Sequence, residues 1–395
     1  MSNYPSSLST DSLMAHLWAI CKQLPRRQPT TEGERLAAEH VQQKLISAGL
    51  KDVHIQTFKG IPTIGVNALT IAIAGLLSIV LGWLAGSPGG WVAGGLMLVV
   101  AFAFWQVYRP SPPFFGQFVE RWKSWNVIAS IPAKKTAKKH IFLIGHLDAQ
   151  KQRFLLPPPI PALMKPSQTM IIILPFLVGL SFWLEQLTNI NFFWFQSITA
   201  LIILGLITAL VYDEGQPTVE GANDNASAMS ILLSTGEALA SEPLENSDVT
   251  LLFTGCEEVG HHGLIAYLDK YKPDPVNSYW IDLELVGTGN LCYATRHGVT
   301  YLNQYHPGKQ MLAIAEKTAA AHPELGFCGR DMLILEEIAT LNRYGQDGVC
   351  LIGYDEKGYL PNWHRITDDF EHIEPQTLQR AGYFAWEMLQ AMDNQ

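Results

Sequence analysis

Four apolar stretches interrupt an otherwise mixed chain, at about residues 66–86, 91–108, 169–187 and 192–212. Each is close to the roughly 20 residues that carry a helix across the hydrocarbon core of a bilayer. No polar stripe at helical spacing runs along them, which fits lipid around the helix better than half-burial in a soluble core. Trp and Tyr lie near several ends, as interface anchors do. The Ser-Pro-Gly-Gly segment at 87–90 and the Thr-Asn-Ile-Asn segment at 188–191 read as tight turns, so the stretches pair into two helical hairpins.

The rest of the chain alternates between two periodicities. Residues 11–50 read as largely helical, with Gly49 as a stop, and 226–240 and 263–271 are further helical runs. Short β-type runs occupy 53–58, 126–131, 140–144, 248–254 and 278–283. Strands alternating with helices predict an α/β fold: a mixed, largely parallel sheet with helices on both faces. The four transmembrane helices are then insertions, at 61–118 and 157–212, into a domain assembled from 1–60, 119–156 and 213–395. Pro157, Pro158, Pro159 and Pro161 form a stiff connector into the second insertion.

Composition sharpens this. Charged residues make up 16%, against about 25% in soluble domains. A net charge of -9 makes the chain a poor candidate for a phosphate-backbone binder, and the lysines at 134, 135, 138 and 139 read as a solvated turn. Five scattered cysteines without a C-x-x-C support neither a disulfide framework nor a cysteine zinc site, and fit a reducing compartment. The polar first ten residues predict no cleavable leader. The hairpin tips carry no Lys or Arg, whereas Lys59, Arg109, Arg121, Lys123, Lys151, Arg153 and Lys165 flank the other ends. Positive residues stay inside, so an integral protein of a bacterial plasma membrane would keep its α/β domain on the cytoplasmic side.

Ligands of such folds collect at strand carboxyl ends, and the chemistry-bearing residues fall there. The run 141–144 ends in His146-Leu147-Asp148, where residues two apart on extended chain share a direction, so Asp148 can support His146. Asp224 opens a helix from a small-residue loop, as an N-cap or as a carboxylate bridging two metals. Glu257 and Glu258 follow an apolar strand and, being adjacent, diverge: one can bind metal while the other acts as base. Asp282 and Glu284 share one face of another apolar strand, and either can be a ligand. His364 sits in a polar loop before a C-terminal helix. Histidines and carboxylates at strand ends and loops suit zinc.

These segments, GHLD, GANDNAS, CEE, DLELVG and the His-x-x-x-Asp-Asp of HRITDD, stand in the order of a known family. With RRQPTTEGERLAAEHV and NVIASIP they resemble the two-zinc exopeptidases that include bacterial aminopeptidases, glutamate carboxypeptidases and glutaminyl cyclases. The resemblance covers nearly all of the chain outside the hairpins. It implies two Zn2+ ions: His146 and Glu284 on one, Glu258 and His364 on the other, and Asp224 between them. It implies Glu257 as general base and Asp148 as the partner of His146. The family usually has Asp where Glu284 stands, and Gly where Ala228 stands; inserted hairpins are not part of its usual pattern.

The activity so implied is exopeptidase action, of aminopeptidase type, on a peptide or peptide-like small substrate beside the lipid bilayer, with no nucleic acid involved. A one-zinc acyltransferase like the glutaminyl cyclases is the alternative enzyme. An inactive receptor-like protein would be expected to have lost ligands or base, and here each has a candidate. A transporter would need charge within its spans, and these hold almost none.

Overall fold

The Ile-Phe-Leu-Ile run at 141–144 is buried on both sides, as a central parallel strand must be. The computed structural model describes residues 4–109 and 121–394. Around that run lies one eight-stranded sheet: β1 (Asp52–Gly60), β2 (Trp122–Ile131), β3 (Lys139–His146), β4 (Ser247–Thr254), β5 (Ser278–Glu284), β6 (Asn290–His297), β7 (Phe327–Met332) and β8 (Asp347–Tyr354). The spatial order is β1-β2-β4-β3-β5-β8-β6-β7. The core strands β4, β3, β5 and β8 are mutually parallel, β1 and β2 extend the sheet antiparallel on one side, and β6 pairs antiparallel with β8 on the other. In register, His146 lies opposite Thr254 and Ile144 opposite Asp282. The carboxyl ends of β3, β4 and β5 therefore finish at one level, side by side.

Helices cover both faces. On one face α1 (Thr10–Trp18), α2 (Glu32–Ser47), α7 (Ser227–Ser241), α9 (Lys309–Ala321) and α11 (Pro375–Asp393) enclose an aliphatic core with Leu143, Leu251 and Leu283. Pro375 opens α11 where its missing N–H is no loss. The helical reading of 11–50 is interrupted at 24–31, where the chain turns to bury Arg27. Gly49 ends α2 in a left-handed conformation, at φ 102°. The other face carries α8 (His262–Tyr271) and α10 (Ile338–Arg343) over Phe142 and Trp280, whose rings stack with centroids 3.9 Å apart.

The apolar stretches form α3 (Gly65–Leu84), α4 (Gly86–Val107), α5 (Met164–Leu187) and α6 (Phe193–Glu214), all long and apolar enough to cross a membrane. α3 and α4 lie between β1 and β2, and α5 and α6 between β3 and α7. They expose many large apolar side chains, among them Leu77, Leu84, Trp194 and Leu201. The first turn is tighter than its sequence suggests. Residues 87–90 are already the opening of α4, where Pro88 gives up an N–H that has no helical partner, and Gly86 makes the reversal at φ 60°. At the domain end, Lys151 and Arg153 pair with Glu214 at the foot of α6. Two of the flanking cations thus tie hairpin to domain.

Candidate metal centre

Three neighbouring strand ends and two loops meet at one point. His146 closes β3, Glu257 and Glu258 follow β4, and Glu284 closes β5. Asp224 comes from the loop before α7, and His364 from the loop before α11. All are buried or nearly so. Left-handed backbone at Cys256, Leu285 and His364, with φ of 52°, 47° and 53°, turns these ends inward. Such conformations are disfavoured in side-chain-bearing residues and cluster at functional sites.

Asp224 is the hub. Its Oδ1 lies 3.1 Å from His146 Nε2, and its Oδ2 lies 3.5 Å from His364 Nε2. Glu284 Oε2 sits 3.5 Å from His146 Nε2, and Glu258 Oε2 sits 3.1 Å from His364 Nε2. Two triads therefore share one carboxylate. Each imidazole is oriented from behind: His146 Nδ1 donates to the Asp148 carbonyl at 3.0 Å, and His364 Nδ1 donates to the Leu156 carbonyl at 2.8 Å. A carbonyl only accepts, so Nδ1 carries the proton and Nε2 is left to bind a metal.

The site residues named from sequence come together here, with a difference at Asp148. Its carboxylate is 3.6 Å from His146 Nδ1 and accepts instead the backbone N–H groups of Glu257 and Glu258, both at 3.1 Å. It positions the acid pair more directly than the histidine. Asp282 points away, toward Glu336 and Cys350 in a separate buried group behind the site. Around the site, Arg296 pairs with Asp331 and Tyr344 donates to Asp269, both on the surface. His297 is buried against Glu336.

Three supporting residues were not assigned roles from sequence. Asp368 accepts the backbone N–H groups of Asn223 (2.6 Å) and Asp224 (3.2 Å), fixing the bridging loop. Arg27 donates to the carbonyls of Leu147, Glu220 and Gly221, tying the end of β3 to the same loop. His261 Nε2 lies 3.2 Å from Glu257 Oε1, with its Nδ1 held by Thr340. Asp368 and Arg27 both fall inside motif runs. Nothing in their local pattern reports a backbone contact about 140 or 120 residues away.

The electrostatics follow from packing acids together out of water. Burial pushes Glu257 well above the usual carboxyl range, and Glu284 and Glu258 add to it against the opposing His146. Burial likewise raises Glu284 to about 7, opposed by His146. Burial disfavours the charged form of His146, but Glu284, Asp148 and Asp224 outweigh it and raise the imidazole well above its ordinary value. Burial drops His261 to about 4, so it is neutral beside Glu257. One oxygen each of Glu258 and Glu284 is buried with no hydrogen-bond partner. Orphaned carboxylate oxygens in a cluster of two imidazole nitrogens and converging acids suit a cation. The N and O donor set is the one zinc takes, and the donor atoms of His146, Asp224 and Glu258 all lie within 4.8 Å of one another.

Residues 209–389 match the model of peptidase family M28. Among curated relatives, an aminopeptidase of Bacillus subtilis, YwaD, is 27% identical over 189 residues, covering 45% of this chain and 39% of that protein. A putative endoplasmic reticulum metallopeptidase of Caenorhabditis elegans is 25% identical over 173 residues, 42% of this chain and 18% of the relative. The aligned chain thus spans well under half the length of either. The fold is shared almost end to end with solved structures. A zinc aminopeptidase from Bacillus subtilis superposes with a TM-score of 0.58 at 13% identity, over 98% of this chain and 95% of that one. A glutaminyl cyclase from Bacteroides thetaiotaomicron gives 0.58 at 16%, over 98% of each chain.

Proposed function

We propose that this chain, kin to the zinc exopeptidases in its fold and to peptidase family M28 over residues 209–389, is a membrane-integral, zinc-dependent exopeptidase of aminopeptidase type. The observation that carries the reading is Asp224 facing His146 with one oxygen and His364 with the other. That arrangement supports two zinc ions, one with His146 and Glu284, the other with Glu258 and His364, and Asp224 between them. Zinc bound there would polarise the scissile carbonyl and make water a nucleophile near neutral pH.

The chain supplies the proton transfers and the positioning. Glu257 takes the proton of the attacking water and returns it to the leaving amine, a role suited by its raised pKa. Asp148 fixes the backbone of Glu257 and Glu258. Neutral His261 orients the Glu257 carboxyl. Asp368 and Arg27 hold the Asp224 loop.

The apolar hairpins and the likeness to an endoplasmic reticulum metallopeptidase support membrane association. The domain assembled from 1–60, 119–156 and 213–395 would be catalytic and cytoplasmic, by the bias of Lys59, Arg109, Arg121, Lys123 and Lys165. A reporter fused at Gly86 should then be extracytoplasmic, and a cytoplasmic reporter would reverse the topology. The glutaminyl cyclase fold neighbours favour one second reading, acyl transfer on a single zinc at the His146, Asp224 and Glu258 group.

The test is a panel of aminoacyl-coumarins, short peptides and peptides with N-terminal Gln, given to purified protein with zinc. Release of N-terminal residues, lost on chelation, supports the exopeptidase. Cyclisation of the Gln peptides without hydrolysis would support the second reading.

A further inference from the structure

A cavity of about 170 Å3 opens from the metal-binding cluster toward the four apolar helices. Asp224, Glu257, Glu284 and His364 form one wall. Every one of α3 to α6 contributes to the rest from its domain-side end, with Ala68, Phe104, Ile171, Leu206 and Leu210. The hairpins therefore build part of the wall of the site as well as being candidates to anchor it.

The chemistry of that wall selects an occupant. Among the polar groups at the helix ends, Tyr108 donates to Gln168 at 2.5 Å, Gln168 donates to the Leu155 carbonyl at 3.0 Å, Asp213 accepts the N–H groups of Phe154 and Leu155, and Arg109 lies over the Trp105 ring. A peptide backbone laid against the apolar helix ends would leave N–H and C=O groups without partners, which an apolar medium disfavours. An aliphatic chain has no such groups and gains from burial. The helix packing supplies a route. α3 lies against α4 and α6, and α4 lies against α5, but α5 and α6 meet over much less of their length. The hydrogen bonds that join those two, from Gln196 to Ser181 and Glu185, lie beside their connecting turn, at the end away from the cavity.

We infer that the substrate is an amphiphilic amide with one long unbranched aliphatic chain, which enters between α5 and α6 and lies in this cavity. The inference rests on the exopeptidase reading above. Water adds across the amide: the C–N bond breaks, a C–O bond forms at the carbonyl carbon, and nitrogen leaves as the amine with a proton from water. The chain departs as a fatty acid if it was on the acyl side, or as an alkylamine if it was on the amine side.

Two substrate series distinguish those sources: N-acyl leucines and leucine alkylamides, with chains of increasing length, given to the full protein with zinc in phosphatidylcholine nanodiscs. In one series kcat/KM should rise by up to about fourfold per methylene until the cavity is filled. Leu206→Trp should remove most of that gain with zinc content unchanged, because the substitution fills apolar space outside the metal-binding groups. A flat or falling dependence in both series, with short peptides still cleaved, overturns the inference and leaves the exopeptidase reading standing. A second readout does not need turnover. Glu257→Gln protein is labelled with a twelve-carbon acyl leucine bearing a terminal diazirine. Adducts at the domain-side ends of α5 and α6, displaced by excess unlabelled compound, support the chain site even if no amide is cleaved, in which case the exopeptidase reading alone fails. Adducts confined to the outer helix faces overturn it.

Discussion

Asp368 holds Asp224 by its main chain: one carboxylate oxygen accepts the Asp224 N–H at 3.2 Å, while the other takes that of Asn223 at 2.6 Å. The carboxylate that faces both histidines is thus set by an acid that touches neither. Asp368→Ala should weaken zinc binding by about 10- to 100-fold, the usual effect of losing a group that orients a ligand. Competition with a zinc indicator checks this, with circular dichroism to verify the fold.

Glu257 stands 3.8 Å from His146 Nε2 and beside His261, and is the general base of the proposed mechanism. Glu257→Gln should lower kcat by about 10^2- to 10^4-fold, the range for a general base, with zinc content unchanged. Steady-state kinetics beside metal analysis would show it.

Chelation should invert the pH dependence of stability. Without metal, Glu257, Glu258 and Glu284 all have folded pKa values above the ordinary carboxyl range, Glu284 at about 7. His146 and His364 are also raised. Groups raised on folding stabilise below their unfolded pKa and lose that contribution as pH rises through the folded value. Burial raises Asp224 but His146 outweighs it and holds it low, so it acts oppositely only at more acid pH; His261, dropped to about 4 by burial, acts oppositely within the interval but is one group against three acids. Tm of chelated protein should therefore fall between the carboxyl range and neutrality. With zinc it should rise over the same interval, because protons compete for the ligands. Thermal melts with and without chelator check both slopes.

Ala228 stands where the resembled family has Gly, and the fold accommodates its methyl because residue 145 is glycine. A Cβ built on Gly145 would lie 2.8 Å from the Ala228 Cβ. Gly145→Ala should cost about 1–3 kcal/mol by overpacking next to His146. Gly145→Ala combined with Ala228→Gly should recover most of it. Denaturation of the single and double variants measures the coupling.

The fold was largely legible because burial imposes period on sequence. The continuous run at 141–144 could only be a strand buried on both faces, and helices spaced between such runs impose the crossovers of a parallel sheet. The hairpins were legible from length and hydropathy alone, except that Pro88 and Gly86 place the first reversal earlier than the Gly-Pro cluster suggests. At the site, the candidate residues stood at strand ends, but Asp282 and Glu284 share a face and alternation alone does not separate them. Register does, since Asp282 lies level with Ile144, two residues short of His146. Asp368, Arg27 and the meeting of His261 with Glu257 depend on contacts between distant segments, which no local pattern carries.

The proposed joining of two zinc sites by Asp224 is tested most directly by counting zinc per chain by mass spectrometry of the metal, in wild type and in Glu284→Ala and His364→Ala. Two ions in the wild type, and one in each variant, is the result the geometry predicts. One ion in the wild type, retained when Glu284 is removed, would contradict it and point to a single-zinc centre at His146, Asp224 and Glu258.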